Sequence, residues 1–176
     1  MTVELQISKL DAARRQLDVA VRLYFREDDP VSIHTLACAA LELLSGLNRV
    51  RGGGPLLKDV VLKSVRPERL AEARRAVNAP GNFFKHADRD PLSVIVFKPS
   101  QTEWFLYDAC LKYKELAADV VPTLASYQLW FVLGPGSEFI DPKKVAVIQS
   151  LRGTFPSLVR TSFLQEAVPL VSSLKE

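Results

Sequence analysis

Residues 32–47, SIHTLACAALELLSGL, are apolar on nearly every face of the helix they would form. A helix without a polar face is surrounded by other elements. The stretch therefore predicts a central, buried helix over roughly 31–49, with a bundle built around it. Its start is well marked: Asp29 can cap it, and Pro30 occupies the first turn, where a missing N–H leaves nothing unpaired. Beyond its end, RGGGP at 51–55 is a flexible break of three glycines closed by a proline.

Outward from that helix the pattern stays helical. Upstream, Leu10, Ala13, Leu17, Ala20, Val21 and Tyr24 recur at helical spacing, with Arg14, Arg15, Asp18 and Arg22 on other faces. Ser8 and Asp11 form a variant capping box at its start. Downstream, 56–64 (LLKDVVLKS) suits a short helix, and another runs from near Pro67 through RLAEARRAV to Pro80, which is expected to end or kink it. NFFKHA then reads as a fresh helical turn. LSVIVF at 92–97 is strand-like but has no partner run, so it reads as an extended loop.

Ser100 and Glu103 form a full capping box for the helix through TEWFLYDACLKYKELAADV. After Pro122, TLASYQLWFVL reads as a buried helix ended by GPG; Asp141-Pro142 starts one more, and PSLVRTSFLQEAV supplies an amphipathic end. The expectation is one domain over residues 1–176, an all-α bundle of six to eight helices.

A chain of 176 residues can bury a real core, and 48% hydrophobic with 24% charged residues is ordinary for a soluble globular protein. No uninterrupted apolar run reaches the roughly 18–20 residues of a membrane span, and the mixed start MTVELQISKLDAARRQ is unlike a secretion signal. A cytoplasmic location without a membrane partner is expected. Cys38 and Cys110 sit in helix-like stretches without metal-ligand spacing and read as reduced core residues. The net charge of +3 does not by itself imply nucleic acid, but residues 49–89 hold ten Lys/Arg against four acids. Such a segment can attract phosphate-rich ligands or form a solvated helix face.

GNFFKHADRDP at 81–91 gathers the remaining chemistry. The chain has two histidines, His34 and His86, without the spacing of a metal site, so no metal is expected. No P-loop, dinucleotide fingerprint or nucleophile elbow occurs, so no cofactor is expected either. His34, one turn into the central helix, reads as a satisfied core residue, with a place in a site as the alternative. In a helical turn Asn82 and His86 share a face, flanked by Lys85 and Arg89, with Phe83 and Phe84 as anchors. His86 could then act as a general acid or base, and the cations could hold a phosphate. The competing reading is a helix end, with Asp88 and Asp90 in a turn before Pro91.

DDPVSIHTLACAALELLSGL and NFFKHADRDP together resemble an uncharacterised bacterial family of small all-α proteins that share the IHTLA and NFFKHADRDP segments. No activity carries over from it. More distantly, the helical pattern and the NFFKH turn are similar to HEPN domains, helical bundles associated with RNA cleavage and nucleotide binding. Those domains carry an Arg-polar-x-x-x-His pattern near a dimer interface. Asn82 and His86 match its polar and histidine positions, whereas Gly81 stands where the arginine would be.

The resemblance implies a HEPN-like module that binds nucleotide or RNA, as a homodimer, through catalytic-motif positions His86 and Asn82 and ligand-binding positions Lys85, Arg89, Arg75, His34 and Asp88. Three alternatives stay open: a structural or protein-interaction bundle without ligand chemistry, a metal-independent ribonuclease using His86, and a metal-dependent bundle enzyme with His34, His86 and Asp88 as its ligands. The aromatic and apolar excess of SYQLWFVL also suggests self-association.

Overall fold

The structure, a computed structural model, describes residues 4–88, 90–117, 119–139, 145–155 and 158–173. Among them are eight α-helices and no strand: α1 Lys9–Phe25, α2 Pro30–Val50, α3 Leu57–Leu62, α4 Leu70–Phe83, α5 Gln101–Leu116, α6 Pro122–Leu133, α7 Val145–Thr154 and α8 Arg160–Ser173. The protein is an all-α bundle. The expected helix start at Asp141-Pro142 lies outside the described residues, as does Arg89.

The centre of the bundle is α2, packed between α1 and α5. Ile33, Ala37, Ala40, Leu41 and Leu44 are buried along it, as its sequence demands. Asp29 caps it through a 2.7 Å bond from the Ser32 N–H, with Pro30 in the first turn. By length (21 residues) and by the mean hydropathy of an 18-residue window (1.4), α2 is also apolar enough to cross a membrane, although run length alone had not suggested it.

The opposite side is closed by α6 and α8 around an aromatic cluster. The Phe25 ring stacks on Phe163 at 5.8 Å between centroids and meets Trp130 edge-on at 5.7 Å. Arg160 fastens α8 to α1: its Nε donates to the Tyr24 carbonyl at 2.6 Å, and its guanidinium lies 3.7 Å from the Tyr24 ring centroid. Tyr127, Trp130, Phe131 and Leu133 are all buried here. In SYQLWFVL, Leu129 and Val132 are half-buried.

Two local expectations need correction. Pro80 does not end its helix: α4 runs on to Phe83, so NFFKH is the end of α4 and not a new turn. The Phe84 N–H bonds the Pro80 carbonyl at 3.0 Å, and those of Lys85 and His86 bond the Asn82 carbonyl, so hydrogen bonding resumes directly after the proline. Ser100 does not cap α5: its φ and ψ of −59° and −22° are already helical, and no side-chain bond forms. Its supposed partner Glu103 instead accepts the Tyr24 hydroxyl at 2.8 Å. At the 51–55 break the chain turns away from α2. Gly52 turns the chain at φ +67°, and the buried Asn48 side chain donates to the Gly54 carbonyl at 2.7 Å.

Candidate functional site

The end of α4 lies on α2, with Gly81 packed against it. A Cβ on Gly81 would sit 2.9 Å from the Cys38 sulfur and 3.9 Å from His34 Nε2. The glycine is buried, so a side chain at this position would meet α2 and not solvent.

Beneath it, His34 is completely enclosed. Its Nδ1 is 3.0 Å from Thr102 Oγ1 and its Nε2 is 3.3 Å from Cys38 Sγ. The rings of Phe84, Phe97 and Phe105 stand edge-on around it at 5.0–5.8 Å. Burial first, and the nearby Lys85 charge second, hold its pKa down at about 4, so the imidazole is neutral near pH 7. Burial likewise pushes the Cys38 thiol up to about 11. With both ring nitrogens engaged and no solvent access, His34 is a packing residue joining α2 to α5.

The other sequence-derived positions separate. Asn82, His86 and Asp88 are exposed, and His86 has left the helix. Lys85 is half-buried and held by Glu42 of α2 at 2.6 Å, so its charge is matched within the fold. Arg75 is exposed on α4. Seven residues from Asn82, it shares that residue's helix face at a distance of roughly 10 Å along the axis. Gly81 and Lys85 are thus gathered at α2, whereas no hydrogen bond joins His34 to His86 among the described residues.

A pocket that sequence reasoning missed lies beside this turn. It measures about 490 Å³ and is walled by Leu41 of α2, Leu57, Val61 and Leu62 of α3, Val77 of α4, and Trp104 and Phe105 of α5. Its polar groups are Lys58, Gln101 and Asp108. The Asp108 carboxylate accepts the N–H groups of Leu57 and Lys58 at 2.9 and 3.1 Å, which fixes the first turn of α3 as one wall. Burial raises its pKa, and the two N–H groups oppose that rise. Lys58 Nζ stands 5.9 Å from the Phe105 ring centroid.

A smaller cleft shares Leu41, Lys58 and Phe105 with this pocket and is also lined by Asn78, Gly81 and Asn82. Asn82 of the NFFKH stretch therefore borders a cleft that shares its Phe105 wall with the larger pocket. No group of metal-ligating side chains occurs among the described residues. Compared with models of protein families, with curated proteins and with solved structures, the chain matches none.

Proposed function

We propose that the chain is a nucleotide- or RNA-binding module whose ligand places a base in the pocket between α3 and α5, with Asn82 at the rim. One observation carries this reading: an aromatic-walled pocket of about 490 Å³ lies under the most basic part of the chain. The size is that of a small-molecule site. Trp104 and Phe105 offer the flat apolar surface on which a base stacks, an interaction worth about 1–3 kcal/mol per base. Lys58 lies at the pocket, and Lys63, Arg66, Arg74 and Arg75 are exposed on the α3–α4 segment that walls it. Together they supply the positive field that draws a phosphate backbone.

The site favours binding over cleavage. Gly81 brings no charge to stabilise a transition state, and His86 stands in solvent without a side-chain partner to orient it among the described residues.

The reading is tested by titrating labelled short RNA and nucleotides into wild type, Trp104→Ala and Lys58→Ala at low salt with EDTA present. Wild type binds and weakens as salt rises, and Trp104→Ala loses roughly tenfold or more in affinity. Absence of binding to every RNA and nucleotide overturns the proposal. Cleavage of the RNA, lost in His86→Ala, replaces it with the ribonuclease reading.

A further inference from the structure

A second cavity, of about 210 Å³, opens where the turn between α1 and α2 meets the starts of α5 and α8. It shares no lining residue with the aromatic pocket: Gln101, Trp104 and Phe105 line that one, whereas Thr102 and Glu103 line this one. Arg160 and Glu103 both border the cavity, and both are half-buried. They carry opposite charges, yet they form no ion pair with each other or with any other described residue. Charges partly withdrawn from water and left unpaired cost free energy, which a ligand bridging them would recover.

Tyr24 sets both groups in place. Its carbonyl accepts Arg160 Nε at 2.6 Å, and its ring centroid lies 3.7 Å from the guanidinium carbon. Its hydroxyl donates to Glu103 Oε1 at 2.8 Å and accepts the indole N–H of Trp130 at 3.3 Å. Tyr24 and Trp130 are buried, so the frame that positions the two charges belongs to the core. These bonds leave over the two terminal guanidinium nitrogens and Glu103 Oε2, none with a hydrogen-bond partner among the described residues. The Ser100 side chain, also at the cavity, makes no hydrogen bond among them either.

We propose that this cavity binds a free α-amino acid with a small side chain. The ligand's carboxylate takes the two terminal nitrogens of Arg160, a fork that matches a planar carboxylate. Its ammonium donates to Glu103 Oε2 and to the Ser100 hydroxyl oxygen. Asp28, the other acid at the cavity, is already taken by Arg26 at 2.7 Å. The site therefore offers one free charge of each sign, and a ligand of a single sign would leave the other group unmatched. Pro30, Ile33 and Pro99 make the remaining wall apolar, which suits a short aliphatic side chain. Size agrees, because sites for drug-sized ligands run from about 300 to 1,000 Å³ and this one is smaller.

The test is calorimetric titration of the full chain with glycine, alanine, serine and valine, beside two blocked forms of alanine. Wild type binds alanine, while N-acetylalanine and alanine methyl ester, each lacking one charge, bind more weakly by about tenfold or more. Glu103→Gln keeps an acceptor for the Tyr24 hydroxyl, so helical content should hold, while alanine affinity falls about tenfold or more. Its affinity for N-acetylalanine should not change, because that ligand has no ammonium to lose. Absence of binding by all of these amino acids at millimolar concentrations overturns the proposal. Equal binding of either blocked form also overturns it, marking a plain anion or cation site, as does an alanine affinity indifferent to Glu103→Gln.

Discussion

A methyl group placed on Gly81 would sit 2.9 Å from the sulfur of Cys38. That approach explains why a glycine follows Pro80 in the last turn of α4: only a bare backbone lets the helix lie against α2. It also gives the NFFKH turn its form. Gly81 faces inward to the thiol and the imidazole of His34, whereas Asn82 and His86 face out. The position at which the HEPN resemblance would place an arginine is a packing contact in this fold.

Gly81→Ala should therefore destabilise the protein by about 1–3 kcal/mol, as overpacking does, even though alanine is favoured over glycine within a helix by about 1 kcal/mol. Cys38→Ala in the same chain removes the obstructing sulfur and should recover part of the loss. Urea unfolding of the four members of this cycle measures the coupling. Additive effects, or a more stable Gly81→Ala, would show that the contact is slack.

His34 makes stability depend on pH. Its pKa is about 4 in the folded protein and 6.5 ordinarily. Between those values the unfolded chain takes up a proton that the folded chain refuses. The contribution is constant above about pH 6.5, declines as the pH falls and levels off below about 4, a total of about 3 kcal/mol. His34→Gln keeps a group for Thr102 but does not titrate. The difference in stability between wild type and this variant should shrink steadily as the pH falls from 7 to 4. Parallel curves would mean that the imidazole protonates as easily in the fold as outside it.

Neither cysteine should behave as a reactive thiol. Burial raises the pKa of both Cys38 and Cys110, so little thiolate exists to attack. A thiol-specific reagent at pH 8 should leave both unmodified in the native protein and label both in denaturant. Rapid native labelling of Cys38 would show that the α2–α4 contact opens.

Asp108 builds the pocket wall. Asp108→Ala leaves the N–H groups of Leu57 and Lys58 without their acceptor and should cost about 1–3 kcal/mol. Hydrogen exchange should rise in 57–62 before it rises in α2. Unchanged exchange in α3 would show that the carboxylate does not hold that helix.

Much of this was legible from residue types, and what was not depended on distance. The all-round apolarity of α2 announced a central helix, and Asp29-Pro30 announced its start. Both are local properties. Pro80 misled because the bonds that carry α4 onward are made by Phe84, Lys85 and His86, after the proline. The Ser100 box misled because Glu103 answers a tyrosine 79 residues away. His34 read correctly as a core residue, but only the fold shows that Cys38, Thr102 and three phenylalanines enclose it. The pocket had no signal at all. It exists because α3 stands off from Trp104 and Phe105 of α5, and no spacing within either helix records that gap.

The central claim, that the pocket between α3 and α5 receives a base, is tested most directly by photocrosslinking. A short RNA carrying 4-thiouridine is irradiated with the full chain, and the modified peptide is identified by mass spectrometry. The account predicts adducts within residues 57–62 or 101–108, diminished by Trp104→Ala. Adducts confined to α6–α8, or none, would contradict it.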